Sequence, residues 1–274
     1  MGMTIGCCLP SDFFIPQKEA DMSESINNLL TGYQTIKAAG YDFMETPADM
    51  VMKLSEAEFT WLAAQKEKGE FEIQSCNSFL PGKFRVADPS DLPRLTNYAE
   101  EAIHRMSLLG VKIVVFGNGA VRRLPEQNVT AEIRAIEDFL RMCNEKGGKY
   151  GVIVVLEPLN KKETNVFNTV SEGASLVRKL NLQNVRLLAD SYHTFCENEP
   201  LLALEENGDI LRHIHVAEAP DRTYPGKNGG MYLCDFAKHL RGANYNGRVS
   251  IECTFVDFIK EIRLSYPLMR KLFR

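Results

Sequence analysis

VKIVVFGNGAVRRLPEQNVTAEIRAIEDFLRMCNEKGGKYGVIVVLE, residues 111–157, carries two short apolar runs rich in β-branched residues, VKIVVF at 111–116 and VIVVLE at 152–157. Between them lies TAEIRAIEDFLRMCNEKGG, 130–148, with apolar residues at helical spacing and charges on the other face. Strand, helix, strand in this order is the signature of a parallel sheet with helical crossovers. The same alternation continues in both directions. Upstream stand TIGCCL from Thr4, YDFMET from Tyr41 and FEIQSC from Phe71; downstream stand VRLLAD from Val185, HIHVAE from His213 and VSIECT from Val249. The amphipathic segments SINNLLTGYQTIKAAG, DLPRLTNYAEEAIHRMSLLG and TVSEGASLVRKLN fall between, and several end in Gly, as helices commonly do, so KGG at 146–148 is expected to close its helix. Eight such units without a break in composition predict an α/β protein, a (β/α)8 barrel spanning residues 1–274 as a single domain. An open doubly wound sheet would usually carry a glycine-rich first turn, whereas strand one here runs into CCLPSDFF, and neither G-x-G-x-x-G nor a P-loop occurs.

Composition narrows the function. With 45% hydrophobic and 25% charged residues the chain has ample material for a core, which excludes disorder, collagen and coiled coil. Thirty-two Lys and Arg against 36 Asp and Glu leave a net charge of -4, so no global positive field exists to hold a phosphate backbone, and no nucleic-acid partner is expected. Seven scattered cysteines (Cys7, Cys8, Cys76, Cys143, Cys196, Cys234, Cys253) form no C-x-x-C pair and read as reduced thiols of a cytoplasmic protein. MGMTIGCCLP lacks the basic and apolar regions of a signal peptide, and no apolar run approaches the ~18 residues of a membrane span, so neither export nor anchoring is expected.

In such a barrel chemistry sits where the strands end at the C-terminal face. Strand five ends at Glu157, strand six at Asp190, strand seven reaches His215, and strand eight ends at Glu252. A carboxylate placed straight after four or five apolar residues is costly to bury unless it is paired or bound to a cation. Three of them converging on one barrel mouth would repel without a divalent ion. Three oxygen donors and one imidazole suit one Mn²⁺, with Mg²⁺, Co²⁺ or Zn²⁺ as alternatives, and leave positions open for a chelating substrate. His213 and His215 share a face because strand side chains repeat every two residues; His215, nearer the C-terminal end, is the expected ligand and His213 a packed, hydrogen-bonded layer beneath it. His193, three residues after Asp190, is expected in a loop within reach of substrate; His104 and His239 sit in helical stretches and read as structural.

The segments LEPLNKKETN from Leu156, ADSYHTF from Ala189, HIHVAEAPDRTYPG from His213 and IECTF from Ile251 resemble the metal-site segments of the sugar epimerases and isomerases with a xylose isomerase-like barrel, most closely the ketose 3-epimerases of the tagatose and psicose type. The resemblance implies that Glu157, Asp190, His215 and Glu252 are the metal ligands, that Glu157 and Glu252 are also the catalytic acid and base, and that Glu163 and His193 hold the substrate near its carbonyl end. The family's arginine in the strand-seven loop falls at Arg222 when counted back from Pro225 and Gly226, and at Asp221 when counted forward from His215. Arg222 is the expectation, since an arginine can bond sugar hydroxyls whereas a further carboxylate adds repulsion.

A ketose offers adjacent carbonyl and hydroxyl oxygens to one metal ion, and polarising that carbonyl acidifies the neighbouring C–H. Glutamates from strands five and eight can address opposite faces of the carbon, one removing the C3 proton and the other returning it, which is epimerisation. A single base returning the proton to C1 would instead interconvert aldose and ketose, as a hydroxypyruvate isomerase does. An inosose-type dehydratase would share the proton abstraction and differ in the fate of the enediolate. The abasic-site endonuclease of the same superfamily is disfavoured, because strands three and four end in SCNSF and FGNGA without histidine. The expected partner is a small sugar, in a barrel that pairs into a homodimer or homotetramer. Outside this constellation, Glu45 after YDFM is expected either to bond substrate hydroxyls or to stand as a solvated loop acid. Arg122 and Arg123 are expected to meet a distal phosphate or to face water, and Trp61, Phe13 and Phe14 are expected to pack.

Overall fold

The computed structural model describes residues 2–14, 22–124 and 129–274. Eight parallel strands close into a barrel in chain order: β1 (Thr4–Cys8), β2 (Phe43–Pro47), β3 (Ile73–Asn77), β4 (Ile113–Phe116), β5 (Ile153–Leu156), β6 (Val185–Asp190), β7 (Leu211–Val216) and β8 (Arg248–Ile251). Closure is made by β1 pairing with both β2 and β8. The (β/α)8 architecture expected from the alternating runs is therefore the fold observed. β7 begins two residues before the run that starts at His213, and β2 begins two residues after Tyr41.

The helices follow the amphipathic segments. Leu92–Leu108, Val129–Tyr150 and Val170–Leu180 lay their apolar faces on the outside of the barrel, and Ile103, Met106, Phe139, Leu140, Leu176 and Val177 are all buried there. Thr169 caps the last of these by accepting the Glu172 N–H, and left-handed Asn181 ends it. One expected stop fails. The helix containing KGG runs through Gly147 and Gly148 to Tyr150, and Gly151, at φ +69, turns the chain. Gly147 serves close packing instead: a Cβ there would lie 2.5 Å from the Val152 carbonyl oxygen, so the bare backbone lets the helix approach the entrance to β5.

Inside the barrel Ile113, Val115, Val155 and Leu188 form a small apolar cluster separate from the main core between strands and helices. Strand alternation places Val155 with Glu157, Leu188 with Asp190, and Ser250 with Glu252 on one face of their strands. The apolar layer thus lies directly beneath the charged residues at the C-terminal mouth. Trp61 departs from expectation: it is 46% exposed on the outer face of its helix. Phe13 packs on Phe258 with ring centroids 5.3 Å apart, and the Phe14 side chain lies outside the described residues. All seven cysteines are free thiols. Among the described residues no helix is long and apolar enough to cross a membrane.

Candidate metal centre and active site

Glu157, Asp190, His215 and Glu252 each present a ligand atom within 4.8 Å of the others at the C-terminal mouth. His215 sits at their centre, fully buried, with Nδ1 3.0 Å from Glu157 Oε1 and 3.3 Å from Glu252 Oε2. Its other nitrogen, Nε2, lies 3.0 Å from Glu45 Oε1. A carboxylate behind one imidazole nitrogen fixes the ring and leaves the opposite nitrogen as the ligand atom, so Nδ1 is the nitrogen offered to a cation.

Glu45 is the residue whose expected role changes most. It is neither a solvated loop acid nor a group at the cavity: it lies within β2, fully buried, bonded by Ser75 Oγ at 2.8 Å and 2.7 Å from His213 Nε2 as well as facing His215. Burial alone would raise its pKa, but the two histidines outweigh burial and hold it well below the ordinary carboxylate range. A fixed anion under the site is the result. Cys8 also approaches Glu45 and His215, but burial first and the surrounding carboxylates second keep its thiol protonated.

Asp190 caps the short helix Ser191–Cys196: its Oδ1 accepts the Tyr192 N–H at 2.7 Å, while its buried Oδ2 has no hydrogen-bond partner. His193 belongs to this helix and is 2% exposed, so it is a buried helical residue and not the loop histidine expected. Its Nδ1 receives both the backbone N–H of Asn160, at 3.2 Å, and the Asn160 amide nitrogen, at 2.9 Å. Two donors require an acceptor, which places the proton on Nε2. Burial lowers the pKa to about 3 and keeps the ring neutral, and Nε2, 3.7 Å from Asp190 Oδ2, is a donor without a hydrogen-bond partner.

Arg222 enters from the loop after β7 in a left-handed conformation, φ +52, while the neighbouring Asp221 is exposed. Its Nη2 stands 2.5 Å from Glu252 Oε2 and 3.5 Å from Asp190 Oδ2, its Nη1 3.6 Å from Glu163 Oε1, and its guanidinium covers the Tyr192 ring at 5.1 Å. Glu218 braces the loop by accepting the N–H groups of Gly226 and Asn228. Glu163 is tethered by Asn160 Nδ2 at 3.1 Å. All seven expected site residues therefore converge on one region, and a cavity of about 250 Å³ opens between Asn77, Gly117, Glu157, Glu163, Arg222 and Glu252.

The two glutamates are electrostatically unlike. Burial and the Glu252 charge push Glu157 up to about 7, against the pull of His215. Burial would raise Glu252 as well, but His215, Arg222 and the Asn77 amide, 3.0 Å from its Oε1, hold it well below the usual range. Asp190 rises to about 6, mainly through burial. The His215 pKa is raised well above its ordinary value, because Glu252, Glu45 and Glu157 outweigh desolvation. The donor set fits a divalent cation on two counts: a buried Asp190 oxygen without a hydrogen-bond partner, and three carboxylates whose mutual repulsion is offset by protonation, an imidazolium and an arginine.

Two supporting residues carry no sequence signature of their own. Arg122, expected at a phosphate or in water, is 1% exposed and donates from Nη2 to the Glu157 carbonyl oxygen at 2.7 Å. Arg123 reaches the carbonyl oxygens of Lys162 and Glu163. Gly117 leaves room for the site itself, since a Cβ there would lie 1.8 Å from Glu157 Oε2.

The family profile described as xylose isomerase-like TIM barrel matches residues 33–264. The chain belongs to this family. Among curated members it is 25% identical over 236 residues to the 3-dehydro-D-guloside 4-epimerase of Escherichia coli (strain K12), covering 82% of this chain and 87% of that protein. The ketose 3-epimerase of Arthrobacter globiformis is 24% identical over 226 residues, or 80% and 75% of the two chains. The crystal structure of the D-allulose 3-epimerase from Methylomonas sp. in complex with D-allulose superposes with a TM-score of 0.82 at 16% identity, covering 99% and 98% of the chains, which is a likeness of fold. This xylose isomerase-like barrel is accordingly an isomerase of the sugar-epimerase type.

Proposed function

We propose that this barrel is a divalent-metal-dependent ketose 3-epimerase, with residues 1–274 acting as one domain and Mn²⁺ as the preferred ion. The carrying observation is the pair of glutamates on one cavity, Glu157 from the end of β5 and Glu252 from the end of β8, with pKa values pushed apart. Two carboxylates held in different protonation states are an acid and a base. Glu157, Asp190, His215 and Glu252 would hold the ion, whose Lewis acidity makes the C–H beside a ketose carbonyl acidic.

The chain's own groups then divide the work. His193 Nε2 and Arg222 donate to oxygens near the carbonyl end, and Glu163 accepts from a hydroxyl, which fixes the carbon between the two carboxylates. Glu252, ionised, removes the C3 proton from one face. Glu157, protonated, delivers one to the other face, and the reverse reaction exchanges their roles. The seven free thiols support a reducing, cytoplasmic setting.

A second reading comes from the relative covering 82% of the chain, a 4-epimerase of a 3-keto sugar: the same proton exchange occurs one carbon further along. Incubating the Mn²⁺-loaded protein with free 2-ketoses in D₂O and locating deuterium by NMR tests the proposal. Deuterium at C3 with a new epimer supports it. Deuterium at C1 with an aldose product makes the protein an aldose–ketose isomerase, loss of water makes it a dehydratase, and activity only on 3-keto sugars selects the second reading.

A further inference from the structure

A cavity larger than the catalytic one, about 520 Å³, opens at the opposite, N-terminal mouth of the barrel, with Lys112, Arg212, Tyr245 and Arg248 on its walls and Ile113 and Ile153 among its apolar lining. Arg212 and Arg248 come from β7 and β8, and Arg186 of β6 stands close enough to Arg212 that their charges repel.

These arginines spend their bonds on uncharged groups. Arg186 donates through Nη1 to the carbonyl oxygens of Leu182 and Val185, Arg212 through Nη1 to those of Asp209 and Leu211, and Arg248 through Nε to Gln74 Oε1 at 2.6 Å. Among the described residues none of the three arginines makes an ion pair; the nearby Asp209 carboxylate is held by Arg178 at 2.6 and 3.0 Å, and Glu72 accepts from the Gln74 amide. A guanidinium carries five N–H donors, and each arginine uses only one nitrogen. Asp209, which also lines the cavity, attracts Arg186 and Arg212, and Glu72 attracts Arg248, but neither forms an ion pair with them, so the three half-buried cations on adjacent strands keep an excess of positive charge that an anion would offset.

We propose that the N-terminal mouth is a binding site for a small phosphate-type oxyanion, seated between Arg212 and Arg248 with Lys112 at the rim and Arg186 adding field from β6. The planar fork of arginine matches phosphate oxygens two at a time. The apolar lining leaves room for an organic moiety, so the anion is either inorganic phosphate or the phosphoryl end of a small metabolite. The site lies on the face away from the catalytic mouth and is independent of the reaction proposed above.

Calorimetric titration of the Mn²⁺-loaded protein with inorganic phosphate and with glycerol 3-phosphate, at fixed ionic strength and against sodium chloride, tests this. Phosphate is expected to bind the wild type, with Arg212→Gln and Arg248→Gln each weakening it about tenfold or more. Arg222→Gln, at the other mouth, is expected to bind it as the wild type does. Tighter binding of the ester assigns the phosphorylated metabolite, and equal binding assigns the free ion. Should Arg248→Gln fail to fold by circular dichroism, Arg248→Lys, which keeps the charge and loses the fork, is expected to bind phosphate more weakly than the wild type. No heat beyond that of chloride, unchanged affinity in the Arg212 and Arg248 variants, or loss of binding in Arg222→Gln overturns the proposal.

Discussion

Glu45 Oε1 on β2 lies 3.0 Å from His215 Nε2 on β7, although β1 and β8 stand between those strands in the barrel wall. The contact runs through the barrel interior, beneath the mouth, and fixes which imidazole nitrogen faces the three carboxylates. An outer partner of this kind typically tunes metal affinity 10- to 100-fold.

Replacing Glu45 with Gln keeps the shape and removes the charge. Mn²⁺ affinity, read by calorimetry, is expected to fall roughly 10- to 100-fold while the circular dichroism spectrum stays that of the wild type. Unchanged affinity would show that His215 is oriented by packing alone.

Gly117 supplies a steric test of the site. Its φ lies outside the left-handed region, so the backbone accepts Ala, but the new Cβ would occupy the position of Glu157 Oε2. The carboxylate, at the far end of a flexible side chain, must move while the strand need not. Gly117→Ala is expected to lower kcat about 100-fold or more with little change in Tm, since a displacement of about 1 Å at a reacting group has that order of effect. Wild-type kcat would place Glu157 Oε2 outside the chemistry.

Legibility of the site in the sequence depends on whether the signal is local. β5 and the C-terminal halves of β6 and β8 are mainly apolar and stopped by one acid, so Glu157, Asp190 and Glu252 announce themselves, and the two-residue period picks out His215 above His213. Glu45 stands in an equally apolar setting, FMETP, yet its partners come from β7, about 170 positions away, and no local pattern distinguishes a buried counter-ion from an acid at a strand end. His193 reads as a loop residue because SYHTFC is too short to show helical periodicity; Asp190 caps that turn and makes it a helix. Arg122 is illegible for a related reason. A charge after a glycine turn suggests solvent, and only the tertiary fold shows the Glu157 carbonyl oxygen that receives it.

pH should act on the metal-free protein in a defined direction. Glu157 is raised to about 7 and Asp190 to about 6, above their unfolded values, and the His215 pKa is raised well above its own. Each such group gives stability that is fully present below its unfolded pKa and is lost as pH climbs through the folded one. His193, lowered to about 3, works in the opposite sense, but only below its unfolded value of about 6.5. From pH 6.5 to 8.5 the raised groups therefore act unopposed by it, and thermal stability without metal should fall by on the order of 1 to 2 kcal/mol. Saturating Mn²⁺ takes the place of the Asp190 and His215 protons, so the holoprotein should show a smaller decline and metal affinity should rise over the same range. A metal-free Tm that increases from pH 6.5 to 8.5 would contradict the assignment of buried, protonated carboxylates at the mouth.

The two glutamates can be separated by isotope exchange. Glu157→Gln and Glu252→Gln each retain an oxygen for a cation but neither can take up a proton, so epimerisation is expected to fall by roughly 10²- to 10⁴-fold in both. Their residual chemistry should differ. With Glu157 replaced, Glu252 still reaches one face of the carbon, and in D₂O it should exchange the proton of one epimer without forming the other; Glu252→Gln should do the same for the opposite epimer. Metal content measured alongside excludes simple loss of the ion. Exchange of the same epimer by both variants would mean that a single base serves both directions, and the two-face scheme would have to give way to a one-base transfer.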